Sequence, residues 1–324
     1  MSHPSARPGA DPAERRTLLA GIGNGVIAGA LWGLVFLTPQ LLHDFSPLQL
    51  AASRYLAYGL VAVIALAPRW RALRSRLGSA EGWALVRLSL LGNLIYYVFL
   101  GAAVQWAGGA ATSLIIGLLP AVVTVIGSRA GGAVPLKRLL APMTLCVAGV
   151  ALVAVGTLHG GNTAGTQNLA TRIAGLLCAF GALVSWSAYS ISNARWLGRR
   201  SDLSGGDWSL LTGVVTGALA LLLAVPAFAF DKAVHLSADW GRFWGLAMLL
   251  AVVSSVLGNA CWNRASRLLP LTMIGQMIVF ETLFALLYGF AWEQRLPNLL
   301  EVIAIVCLLT GVLWCASAHA PKRH

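Results

Sequence analysis

The 324-residue sequence has little charge: 10% of its residues are Asp, Glu, Lys or Arg, where a soluble protein has about 25%. It also has few long polar stretches, since its hydrophobic fraction is 58% and its mean hydropathy is +0.76. No compact water-soluble core hides that much apolar surface, which excludes a soluble globular enzyme. Low charge combined with high hydrophobicity also excludes a disordered chain. The composition is typical of a protein that lies in a lipid bilayer.

The residue clusters that carry common catalytic chemistry are missing as well. The six histidines fall in predicted tails or loops, and the five cysteines lie inside apolar blocks without a C-x-x-C pair. This spacing argues against a clustered metal site, and we expect neither a metal nor a cofactor. The absence of a P-loop motif excludes an ATP-driven motor. The sequence also shows neither the paired carboxylates nor the Ser–base arrangement that would indicate an enzyme.

Long apolar blocks are what the sequence has instead. A helix needs about 20 apolar residues to cross the hydrocarbon core, and ten blocks meet this requirement. They are residues 18–41, 46–67, 83–107, 108–128, 139–158, 172–193, 207–230, 241–263, 270–290 and 297–317. Short connectors with Pro, Gly and Asp separate them. We therefore predict an all-α integral membrane protein with ten transmembrane helices.

The basic residues indicate the orientation of these helices. The net charge is +12, and most of the 23 Lys and Arg residues fall in connectors on one side of the predicted membrane. Because Lys and Arg resist translocation, that side is cytoplasmic and includes both termini. The positive charge thus reflects topology, and we expect no nucleic acid partner.

The two halves of the sequence resemble each other. A shift of 154 residues pairs Trp32 with Trp186, and a shift of 162 pairs Pro135 with Pro297, among other matches. Five is an odd number, so the second unit enters the membrane upside down, as in many secondary transporters. The predicted organisation is a cytoplasmic tail, a first five-helix repeat, an external connector, a second repeat and a cytoplasmic tail, at 1–17, 18–158, 159–171, 172–317 and 318–324.

These units resemble a known family. Each begins with an Ala-rich helix that carries a central Trp, as in EamA-type permeases of the drug/metabolite transporter superfamily. The stretch that ends at Pro120, its counterpart around Glu281 and residues 293–311 extend the resemblance over nearly the whole chain. Residues 182–193 and 259–263 resemble the YddG-type aromatic amino acid exporters, which have no carboxylate at the position of Glu281. The resemblance implies efflux of amino acids or similar metabolites through a central cavity.

Polar and aromatic residues in the middle of predicted helices are the candidate substrate ligands, because such side chains face protein or water instead of lipid. Asn93 and Tyr97 are spaced i, i+4, and the shift of 162 places Asn259 at the position of Tyr97. The full set is Trp32, Asn93, Tyr96, Tyr97, Trp186, Tyr189, Ser190, Asn259, Trp262 and Glu281. Two interpretations are open, a cavity lining or packing and hydrogen bonding between helices.

A stripe of small residues follows the first predicted helix. Gly21, Gly25, Gly29 and Gly33 are spaced by four residues and therefore share one helix face. Such a face allows a neighbouring backbone to approach closely, so these residues are predicted to be helix-packing positions. The alternative is a smooth face that slides as the repeats alternate.

Glu281 is the only acidic residue deep in the predicted core, and Arg54 is the only deep base. A charge at this depth is costly unless it is paired or solvated. One interpretation is a structural ion pair between the two. The other is a carboxylate that binds a substrate ammonium group or relays a proton.

We therefore expect a secondary transporter in the bacterial inner membrane that exports aromatic and other neutral amino acids, or similar small metabolites, by alternating access. Its partners would be an amino-acid-like small molecule and the lipid bilayer, and a monomer is consistent with the sequence. An exporter of cationic drugs is the alternative, for which Glu281 would be indispensable. A membrane-embedded enzyme or scaffold is less favoured.

Overall fold

The structure is a computed structural model that describes residues 12–122, 136–158, 168–200, 202–230, 235–269 and 271–317. Over these ranges the regular structure is helical, and none of the described residues forms a β-strand. The predicted tail 318–324, most of the tail 1–17, residues 123–128 of the fourth block and most of the connector 159–171 lie outside the described residues.

The main helices are labelled α1 to α10 in chain order. They are α1 Pro12–Leu41, α2 Pro47–Leu66, α3 Ser79–Ala107, α4 Gly109–Ile116, α5 Leu136–Leu158, α6 Leu169–Arg199, α7 Gly205–Ala229, α8 237–268, α9 Leu271–Trp292 and α10 Leu299–Ser317. A 3₁₀ turn, Ala67–Arg69, and a short helix, Trp70–Arg74, follow α2. One more helical turn, residues 119–122, follows α4 after a turn at Gly117.

Local sequence explains several helix starts. At α2 the Ser46 hydroxyl accepts a hydrogen bond from the Gln49 amide at 3.3 Å, and the Gln49 side chain accepts one from the Ser46 amide at 2.8 Å. This reciprocal capping satisfies two backbone N–H groups that the first turn leaves free. Asn298 and Glu301 form the same arrangement at the start of α10, at 2.9 and 2.8 Å.

Two helices contain π-helical segments. One is Leu90–Leu94 in α3 and the other is Ala251–Gly258 in α8. The shift of 162 maps residues 251–258 onto 89–96, so the two segments occupy matching positions in the two halves. A π segment widens the helix and changes the direction of the following side chains, and such segments are frequent at functional sites.

Six helical stretches are long and apolar enough to cross a membrane, judged by length and composition. They are Arg16–Leu41, Pro47–Arg74, Ser79–Ala107, Leu169–Leu197, Gly205–Ala229 and Ser237–Ala265. Four shorter apolar helices accompany them, at Gly109–Val122, Leu140–Gly156, Met277–Trp292 and Leu299–Trp314. Helical membrane architecture is thus confirmed, whereas ten spanning helices and the side of the termini stay predictions.

Helix packing connects the two halves of the chain. The most extensive contacts join α3 with α6, α2 with α7, α5 with α10, and α1 with both α8 and α9. Replacing each helix by the one five positions away turns the pair α1–α8 into α6–α3 and leaves the pairs α2–α7 and α5–α10 unchanged. The halves are therefore packed with an approximate two-fold relation.

The paired helices α2 and α7 run antiparallel and come very close. A Cβ atom on Gly217 would lie 2.6 Å from the Cα of Gly59, whereas the Ala62 methyl group lies near Gly213. A step forward along α2, from residue 59 to residue 62, therefore corresponds to a step back along α7, from residue 217 to residue 213. The pair α5 and α10 is also antiparallel, since Gly149 lies beside Ala304 and Gly311 beside Pro142.

Candidate functional site

A small cavity lies between α3, α4, α6 and α9. The space open to the centre of a water molecule is about 10 Å³, and the walls are Tyr96, Ile116, Leu119, Trp186, Ile278, Glu281 and Thr282. About 10–15 Å³ of such space holds a single water molecule, so in this conformation the cavity has no room for a larger ligand. It combines aromatic and aliphatic walls with one carboxylate, that of Glu281, and two residues that carry a hydroxyl, Tyr96 and Thr282.

The aromatic wall is a connected group of rings. The centroid of Trp186 lies 6.4 Å from that of Tyr96 and 5.8 Å from that of Tyr189, with tilted ring planes. Such tilted pairs are favourable packing geometries. Gly92, inside the π segment of α3, leaves room for the Tyr189 ring, which a Cβ atom at position 92 would overlap. The π segment thus supports the ring cluster beside the cavity.

Glu281 provides the charge of the cavity. Among the described residues, its carboxylate forms neither a hydrogen bond nor an ion pair within 4 Å. The charged group that acts on it electrostatically is Arg54. The structure therefore does not bring these two residues together as a direct ion pair, and the carboxylate faces the cavity.

Arg54 lies on α2 and is only 7% exposed. Its guanidinium carbon lies 4.4 Å from the ring centroid of Tyr97 and 5.3 Å from that of Tyr55. Cation–π contacts of this kind stabilise a buried cation. Tyr97 is fully buried and does not line the cavity.

Trp32 and Trp262 form a separate cluster between α1 and α8. The indole N–H of Trp32 donates to the Ser254 carbonyl at 3.0 Å, and the Ser254 hydroxyl donates to the Leu31 carbonyl at 2.7 Å. The ring centroids of the two Trp residues are 5.2 Å apart. These contacts fix Trp32 against the backbone of the π segment in α8, away from the cavity walls.

Asn93 and Asn259 both bind α7. The Asn93 amide donates to the Thr216 hydroxyl at 3.1 Å, and the Asn259 amide donates to the Ser209 hydroxyl at 3.4 Å. Tyr58 of α2 donates to the Ser209 carbonyl at 2.8 Å. In this conformation the two Asn side chains therefore make contacts between helices.

The family model of the EamA-like transporters matches the chain twice, over residues 19–155 and 173–317. This chain belongs to the EamA-like transporter family. An EamA-like protein is a membrane transporter of small substrates. The prediction that the chain is a transporter and not an enzyme agrees with this membership.

A curated relative supports the assignment. The chain is 32% identical over 316 residues to the inner membrane protein YtfF of Escherichia coli (strain K12), covering 94% of this chain and 97% of the relative. The EamA-like protein described here is thus a multi-pass inner membrane protein. It also superimposes on a crystal structure with a TM-score of 0.61 and 18% identity, covering 93% of this chain and 97% of the other. That similarity concerns the fold alone.

Three of the predicted site residues of this EamA-like chain meet at the cavity: Tyr96, Trp186 and Glu281. Tyr189 packs behind them, and the Ser190 hydroxyl is buried without a partner among the described residues. The remaining predicted residues pack elsewhere, as described above. The prediction from sequence missed four cavity residues, which are Ile116, Leu119, Ile278 and Thr282. Only Thr282, next to Glu281, carried a recognisable polar signal.

The glycine stripe of this EamA-like protein faces α9. A Cβ atom on Gly25 would lie 2.7 Å from the Met277 side chain, and one on Gly29 would lie 2.8 Å from the Cβ of Phe280. Gly21 lies equally close to Leu269, which precedes α9, and Gly33 lies close to Phe284 and the Ala285 backbone. The stripe therefore positions α1 directly against the helix that carries Glu281.

A polar cluster joins the C-terminal end of α6 to the start of α3. Arg200 donates to Glu81 at 2.6 Å, to Asp202 at 2.8 Å and to the Arg76 carbonyl at 2.8 Å. The hydrogen bonds and charge of Arg200 lower the pKa of Asp202 below its usual value. Among the described residues, no group of His, Cys, Asp and Glu side chains has the arrangement of a metal site.

Proposed function

We propose that this EamA-like protein is a secondary transporter that exports aromatic and other neutral amino acids, or similar small metabolites, by alternating access. In this proposal ten helices cross the membrane as two inverted five-helix repeats, with both termini in the cytoplasm. The double family match and the antiparallel pairing of α2 with α7 support this arrangement. Inverted repeats place the substrate site near the bilayer midplane, between the repeats.

The cavity is the observation that carries the substrate class. The rings of Tyr96 and Trp186 offer flat surfaces for an apolar or aromatic side chain, and Glu281 offers a carboxylate for an ammonium group. An amino acid has both parts. In this conformation the cavity is too small for such a ligand, since the space open to the centre of a water molecule is about 10 Å³, so the substrate enters only when the helices separate.

Transport by purified protein in proteoliposomes tests the proposal. We expect uptake of labelled Phe and Trp, with competition by unlabelled Leu and Met. Trp186→Ala should reduce uptake because it removes a cavity wall, whereas Trp83→Ala should not, since Trp83 is 76% exposed. If the wild type took up none of the labelled amino acids, the proposal would be contradicted. If no solute of any class crossed, an embedded enzyme or scaffold would be favoured.

One observation favours a second candidate, an exporter of cationic drugs. Glu281 faces the cavity without a partner among the described residues, which is an arrangement that attracts a cation. Glu281→Gln separates the two candidates. Loss of drug movement with retained amino acid movement would support the second, and a parallel loss of amino acid movement supports the first.

A further inference from the structure

Arg54 has hydrogen-bonding capacity that the protein leaves unused. Its Nε and Nη1 atoms are buried and have no acceptor among the described residues. The residue is 7% exposed, so bulk water does not replace the missing acceptors freely. A buried cationic donor without an acceptor is costly, and proteins normally satisfy such groups. This position therefore suits an anionic ligand.

The surroundings of Arg54 hold the cation without neutralising it. The rings of Tyr55 and Tyr97 contact it through their faces, and no carboxylate of the described residues forms a salt bridge with it. The guanidinium thus keeps its charge and its donors while its flat surfaces are packed. This is how a protein prepares an Arg side chain to bind a carboxylate.

Arg54 contacts the ring of Tyr97, and the neighbouring residue Tyr96 lines the cavity together with Glu281. The charges of Arg54 and Glu281 act on the Tyr96 hydroxyl, and Tyr96 lines the cavity whereas Arg54 does not. Tyr96 thus connects the cavity wall to the residue that contacts Arg54. It follows the π segment Leu90–Leu94 in α3, where the helix is locally distorted.

We propose that Arg54 binds the carboxylate of the substrate, with Glu281 binding its ammonium group and Tyr96 moving aside on loading. This inference rests on the proposed function and deepens it, because it restricts the substrate to zwitterions. A carboxylate oxygen accepts from the free N–H groups of Arg54 in a charge-assisted hydrogen bond, which is stronger than a neutral one. An amine without a carboxylate leaves these donors unsatisfied.

Competition against labelled Phe in proteoliposomes tests this inference. Unlabelled Phe is compared with phenethylamine, which lacks the carboxylate, and with 3-phenylpropionate, which lacks the ammonium group. In the wild type we expect Phe to compete about 10- to 100-fold better than either analogue, as the loss of one charged hydrogen bond implies. Arg54→Gln should weaken competition by unlabelled Phe by this factor and leave competition by phenethylamine unchanged. Glu281→Gln should weaken competition by phenethylamine and leave competition by 3-phenylpropionate unchanged.

Arg54 is buried, so its variants need a separate check of folding. Arg54→Lys keeps the charge and should keep part of the preference for Phe over phenethylamine, and size-exclusion profiles with thermal unfolding show whether each variant is folded. If folded Arg54→Gln weakened competition by Phe and by phenethylamine equally, the inference would be overturned. Equal competition by Phe and phenethylamine in the wild type would also overturn it. If the wild type moves no amino acid at all, the proposed function itself fails.

Discussion

The close approach of α2 and α7 gives a sharp prediction about stability. A Cβ atom on Gly217 would lie 2.6 Å from the Cα of Gly59, about 1 Å inside the usual carbon–carbon contact distance. Gly217→Ala therefore forces the two helices apart, and overpacking of this kind costs about 1–3 kcal/mol. The same change also favours the helix by roughly 0.5–1 kcal/mol, because Ala loses less backbone entropy than Gly.

A matched control removes the second effect. Gly245 of α8 has nothing within 4 Å of the position where a Cβ atom would lie, so Gly245→Ala should only stabilise its helix. We expect the free energy of unfolding of Gly217→Ala to be about 1–3 kcal/mol below that of Gly245→Ala, since the helix-propensity gain is common to both. Unfolding by sodium dodecyl sulfate in mixed micelles measures this difference. Equal free energies for the two variants would refute the close approach of α2 and α7.

Two further predictions concern contacts outside the cavity. Trp32→Phe keeps an aromatic ring but loses the N–H donor to the Ser254 carbonyl. The free energy of unfolding, measured by thermal unfolding, should therefore fall by about 0.5–1.5 kcal/mol. A variant as stable as the wild type would contradict that hydrogen bond. Arg200 lowers the pKa of Asp202, so the stabilisation from this pair is fully present above the ordinary pKa of an Asp and is lost as the pH falls through the lowered value. Thermal unfolding of wild type and Asp202→Asn from pH 3 to pH 8 should therefore differ near neutral pH and converge in acid, and a constant difference would contradict the pairing.

The helical architecture was predictable because it depends on the length of apolar blocks. Boundaries were less predictable where polar residues continue a helix, as at α3, which begins at Ser79 instead of position 83. There the Gly78 amide donates to the Glu81 carboxylate at 2.8 Å and caps a polar first turn. At α6 the helix continues to Arg199, beyond the predicted end at 193, since nothing in residues 194–199 stops it.

The candidate site was predictable only in part. Tyr96, Trp186 and Glu281 stood out because aromatic and charged groups are conspicuous in an apolar helix. The spacing of Asn93 and Tyr97 assumed a regular α-helix, but the π segment Leu90–Leu94 precedes Tyr97 and changes the relative direction of the two side chains. Asn93 consequently reaches α7, whereas Tyr97 packs on Arg54. Apolar walls such as Ile116 and Leu119 resemble every other aliphatic residue of the chain until the fold places them.

The pairing of α1 with α9 has a consequence for synthesis at the ribosome. About 230 residues separate the end of α1 from the start of α9, which at roughly 5–20 residues per second takes about 10 to 50 seconds. During that interval the glycine face of α1 has no final partner and borders lipid, the insertion machinery or a transient neighbour. The first half of the polypeptide therefore waits in the membrane in an immature packing, and maturation ends only when the last helices are inserted.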